Sequence, residues 1–180
     1  MVTAQDIIDQ TKKWIIEVVI GCNFCPFAAR VIKQKSVFYK VENSTKAEIC
    51  LESFLQELTQ LDNDDTFETG FLIFPNALTL FNDYLNMVSA AEKLITEKGY
   101  DGIYQVASFH PHYIFAGTTE EDAANYTNRS IYPMIHLLRE NSINKALELY
   151  DNPRDIPDNN IDFARNKGLI YMKMLRNSCI

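Results

Sequence analysis

Apolar residues recur at helical spacing through Ile7, Ile8, Trp14, Ile15, Val18 and Val19, behind a Thr3 suited to cap the first turn and ahead of a Gly21 that stops it. Pro26 suits the first position of a second, short helix, with Cys25 as its N-cap. The pattern then alternates between types. Val37–Val41 predicts a strand. Thr45-x-x-Glu48 predicts a capping box in front of a helix that buries Leu51, Phe54, Leu55, Leu58 and Leu61, and Asp62–Asp65 closes that helix. Gly70–Phe74, stopped by Pro75, predicts a strand buried on both faces. A helix turning Phe81, Tyr84, Leu85, Val88 and Ala91 inward runs to Gly99, and a third strand spans Ile103–Phe109. Tyr132–Tyr150 and Asn160–Leu175 predict two further helices, with Pro153 and Pro157 marking the loop between them.

The order strand, helix, strand, helix, strand calls for parallel pairing through right-handed crossovers. The expected fold is therefore α/β: a small, mostly parallel sheet of three or four strands flanked by helices, with a helical C-terminal part. No repeat, low-complexity stretch or linker divides residues 1–180, which predicts a single domain.

Composition narrows the functional classes. The chain has 180 residues, 47% of them hydrophobic, enough for a core that needs no metal or disulfide to hold it. The net charge is −7, which argues against nucleic acid and anionic membrane as partners. The charge is segregated: −12 over residues 42–122, against +3 before and +2 after. No secretory leader and no apolar run of about 18 residues is seen, which predicts a cytoplasmic protein with reduced thiols at Cys22, Cys25, Cys50 and Cys179.

Three segments hold candidate chemistry. Cys25 at a helix N-cap would face free amides that favour its thiolate, against the competing reading of a small buried hydrophobe. His110, in Ala107-Ser108-Phe109-His110-Pro111-His112, leaves the third strand at its carboxyl end, where open parallel sheets place ligands. It reads as a ligand or base, or as a core histidine held by backbone carbonyls. Arg129, with Asn128 and Ser130, would stand at the N-terminus of the helix predicted from Tyr132 and make a site for a small anion. On that helix His136 and Glu140 would lie one turn apart, so that the carboxylate orients the imidazole.

These stretches resemble the domain of unknown function 1415 family, bacterial proteins of about this length. The similarity is carried by Trp14 to Phe27 with its CPFA, by ASFHPHYIFAGT (Ala107 to Thr118) and by NYTNRSIYPMIHLLRE (Asn125 to Glu140). The family pattern holds Cys25, His110, Asn128, Arg129, Ser130, His136 and Glu140, and this chain departs from it at Cys22, His112 and Ile131. The resemblance implies a Cys25, His110, His136 constellation and no particular activity. The expectation is a small-molecule enzyme at the carboxyl edge of the sheet. Its Cys25, His110 and His136 would either bind one zinc or iron ion or act as thiolate and histidine base, with Glu140 orienting His136 and Asn128, Arg129 and Ser130 holding an anionic group. The alternative is a non-catalytic anion-binding or protein-interaction domain.

Overall fold

A computed structural model describes residues 2–148, 150 and 152–180. Thr3 caps α1 (Ala4–Trp14) through a reciprocal capping box with Asp6. The helix widens into a π-helical turn over Ile15–Ile20, in which Gly21 and Phe24 donate to carbonyls five residues back. The wider turns keep Trp14, Val18 and Cys22, spaced by four, on the buried side. A turn with Asn23 in the left-handed region leads through Cys25 into α2 (Ala28–Gln34), which starts two residues later than expected.

Then follow β1 (Val37–Val41), α3 (Ala47–Asn63), β2 (Thr69–Ile73), α4 (Phe81–Glu97) and β3 (Tyr104–Phe109). The Thr45 capping box does not form. The carboxylate of Glu42 accepts instead from Ser44 N and Ser53 Oγ, which anchors this connection, and α3 starts behind Lys46 with no side-chain cap. On α4, Leu85 turns outward and is 39% exposed.

The fold is α/β, but the sheet order is β1-β2-β4-β3, with one parallel pair (β1, β2) and two antiparallel ones. The crossovers do leave β1, β2 and β3 running the same way. The reversal comes from β4 (Met134–Arg139), which inserts between β2 and β3. The helix expected over Tyr132–Tyr150 is therefore this strand followed by α5 (Glu140–Leu147); Leu149 lies outside the described residues. Met134, Ile135, Leu137 and Leu138 are all buried because a central strand is covered on both faces. The last predicted helix is two, α6 (Ile156–Lys167) and α7 (Leu169–Asn177), broken at Gly168, whose φ of 84° a helix cannot absorb.

Side chains of the sheet divide by parity. One face carries Phe38, Leu72, Ile135, Leu137, Tyr104 and Val106 and packs on α3 and α4. The other carries Phe71, Ile73, Phe109 and Met134 and packs on α1, the π-helical turn, α6 and α7. Among the described residues no helix is long and apolar enough to cross a membrane.

Candidate functional site

The register places Tyr39, Phe71, His136 and Ala107 in one row across the second face. Tyr39 stacks on Phe71 with ring centroids 5.8 Å apart, and Phe71 stacks on His136 at 3.9 Å, nearly parallel. The row ends on Ala107, whose methyl leaves space above edge strand β3. There a cleft of about 500 Å³ opens, lined mostly by apolar groups. Its floor is Gln105, Ala107, Phe109, His136 and Leu138; its walls are the Phe24–Phe27 loop, Phe115 with Thr127 and Asn128, Ile143, Ala146 and Leu147 of α5, and the start of α6. Asn160 of α6 donates to Phe24 O at 2.8 Å and ties the Cys25 loop to the opposite wall. Beneath the cleft, a void of about 40 Å³ is bordered by Trp14, Phe71, Cys25, Phe109 and His136 among others.

His136 is held in one protonation state. Burial pushes its pKa down from 6.5 to about 3, so the ring is neutral at physiological pH. Thr69 Oγ1 donates its single proton to Leu137 O and lies 2.6 Å from His136 Nε2. With the Thr69 proton on Leu137 O, Nε2–H is the donor to the hydroxyl. In that tautomer Nδ1 carries a lone pair, and no group among the described residues hydrogen-bonds to it.

Cys25 is half-buried and reaches both the cleft and the void. Burial pushes its thiol up, against a smaller pull downward from the Phe27 and Ala28 amides that face the sulfur. The expected amide contact is thus present, but desolvation outweighs it and the resting group is a thiol rather than the expected thiolate. Cys22, Cys50 and Cys179 are buried in the core.

The other expected members lie elsewhere. His110 follows Phe109, so strand alternation sends it to the opposite face, against Phe81 and Tyr84 of α4. Its Nε2 bonds Leu78 O at 2.9 Å and its Nδ1 accepts from His112 N at 3.0 Å, the pattern of a satisfied core histidine. Cys25, His110 and His136 therefore form no constellation. Among the described residues, no three His, Cys, Asp or Glu side chains are grouped to hold a metal ion. Glu140 opens α5, about 13 Å along the chain from His136 at strand rise, and does not orient it.

The helix end that Arg129 was to flank is absent, because β4 replaces that helix. Arg129 Nε and Nη2 donate to Tyr113 O and Glu120 O over the face of Tyr126, and Ser130 Oγ donates to Tyr132 O. Asn128 alone of the three borders the cleft, with its Nδ2 bonded to Ser108 O. A wider depression between the two chain ends, lined by Val2, Asp6, Gln10 and Cys179, is open to solvent and holds none of the candidate residues.

Against models of protein families, the chain matches over residues 6–174 the one described as "Protein of unknown function (DUF1415)". The chain belongs to the DUF1415 family. Comparison with curated proteins and with solved structures returned no match. All three stretches that carried the resemblance meet in this DUF1415 protein's cleft: Cys25 and Phe27 from the first, Ala107, Phe109 and Phe115 from the second, Thr127, Asn128 and His136 from the third.

Sequence reasoning missed Thr69, Trp14 and the α5–α6 wall. Thr69 stands one residue outside the strand predicted at Gly70–Phe74. Trp14 is legible as core, but nothing local says which void it borders.

Proposed function

We propose that this protein is an enzyme acting on a small, largely apolar molecule, with the Cys25 thiol as nucleophile and His136 Nδ1 as its base. The observation that carries the reading is the void that Cys25 and His136 share. A buried, neutral imidazole and the one thiol that reaches the cleft among the described residues border the same void. In the step, the S–H proton passes to Nδ1, the sulfur pair forms a bond to the substrate's electrophilic atom, and a bond of that atom to its leaving group or carbonyl oxygen breaks and carries its electron pair away. Both groups rest neutral because either charge alone would be buried. Charge then develops only when substrate fills the cleft and takes it up. Four free thiols suit a reducing, cytoplasmic setting. A binding-only role is the second reading, favoured by that same neutrality, with the cleft holding an apolar ligand and no bond made.

Methyl methanethiosulfonate, followed by peptide mass mapping, separates the two. The enzyme reading expects modification at Cys25 ahead of the other three thiols and a clear slowing in His136→Gln. Equal rates in the two proteins, or no preference for Cys25, would leave the binding-only role.

A further inference from the structure

The reading above leaves the electrophile open: sulfur, alkyl carbon and carbonyl carbon all accept a thiol. Trp14 narrows the choice. The residue is fully buried, packed edge-on against Phe109 at 5.2 Å, and its indole Nε1–H has no hydrogen-bond partner among the described residues. Buried N–H groups are seldom left unpaired, and each one that is calls for an explanation. Trp14 borders the same 40 Å³ void as Cys25 and His136. That volume admits one water or one carbonyl group and little more. Four residues, Cys25, Phe27, Phe109 and His136, line both void and cleft, so the two spaces adjoin at these side chains.

We propose that the void receives the carbonyl oxygen of an apolar acyl ester or thioester, which accepts a hydrogen bond from Trp14 Nε1–H. The proposal rests on the Cys25 and His136 reading. Residues that carry an unpaired donor, a thiol and an imidazole border one small space, and a donor, a thiol and a base are what acyl transfer to sulfur requires. The Cys25 S–H proton passes to His136 Nδ1, an S–C bond forms at the carbonyl carbon, and the C=O π pair moves onto the oxygen facing Trp14. When the C=O bond re-forms, the alkoxide or thiolate leaves and takes the proton from Nδ1. The product is a thioester on Cys25, and water then releases the acid and restores the thiol. The cleft's apolar walls take the acyl chain.

The test uses the full chain at neutral pH with two reagents, p-nitrophenyl hexanoate and methyl methanethiosulfonate, the second having no carbonyl. Expected is a hexanoyl group mapped to Cys25, formed roughly 100-fold more slowly in Trp14→Phe, as for loss of one oxyanion donor, while the methanethiosulfonate rate holds steady. Trp14 is the only tryptophan, so its indole N–H gives one ¹⁵N–¹H resonance in the unmutated protein. Hexanamide should move that resonance and cyclohexane should not. The inference is overturned by equal hexanoyl transfer in the two proteins, by equal losses with both reagents, or by an indole resonance that hexanamide leaves in place, as a void holding only water would. Absence of Cys25 modification by methanethiosulfonate would instead sink the nucleophile reading on which the inference stands.

Discussion

The premise most open to measurement is that His136 is neutral and stays neutral well below the pH at which a free imidazole charges. Its folded pKa is pushed down to about 3 by burial, while in the unfolded chain it returns to 6.5. The unfolded state therefore binds more protons through the window between these values, and stability falls as pH falls from about 6.5 toward 3; above about pH 7 the group contributes no slope. Integrating one such group from pH 7.5 to 5.0 gives a loss of about 2 kcal/mol, at about 1.4 kcal/mol for each unit once the unfolded imidazole is charged. His110, also pushed down by burial, adds a loss of the same sign, as do the lowered carboxyls of Glu42 and Asp122, whereas Glu57, raised by burial, acts the other way. The double difference removes these. Urea unfolding of wild type and His136→Gln at both pH values should show the variant less stable at pH 7.5, through loss of the Phe71 stack and the Thr69 bond, yet about 2 kcal/mol less sensitive to acid. If wild type and variant lose the same stability between the two pH values, His136 is not held neutral by burial, and the assignment of Nδ1 as a resting base falls with it.

Thr69→Val removes the acceptor that pins Nε2–H and the donor to Leu137 O; it should cost about 1–3 kcal/mol in urea unfolding and slow Cys25 modification, whereas Thr69→Ser should keep the reactivity. Gly70→Ala would set a Cβ 1.9 Å from the buried ring of Phe38; overpacking at a central strand should cost about 2–3 kcal/mol, and an unchanged urea midpoint would refute the contact. Arg129→Lys loses the fork that reaches the Tyr113 and Glu120 carbonyls and should lower the Tm with no effect on anion affinity. A phosphate-dependent rise in Tm that disappears in this variant would restore Arg129 as an anion ligand.

How much of this was legible depends on strand parity. The buried strand at 69–73 was visible because Gly70 and Pro75 bracket a continuous apolar run, and α3 and α4 because their stripes extend over four turns. The run Met134-Ile135-His136-Leu137-Leu138 has no such arbiter: positions 134, 135 and 138 fit a helical stripe, and the same five residues fit a strand covered on both faces. Its shortness and the preceding Pro133 were the only local hints of a strand. The choice decides the chemistry. As a helix, the segment couples His136 to Glu140 and sets Arg129 at a helix end; as a strand, it parts both pairs and turns His136 toward Phe71, Ala107 and the Cys25 loop. Nothing local announces that β4 slips between β2 and β3, because that pairing joins residues more than 60 positions apart in the chain on one side. Yet this insertion shapes the cleft. It lays a histidine beside the small Ala107 of an edge strand, so that the row Tyr39, Phe71, His136 stops one residue short of the edge and leaves the cleft above it. The same parity sends His110, one residue past Phe109, to the far face. Of the two histidines that the family resemblance set beside Cys25, the sheet brings only one to that face, and the register decides that it is His136.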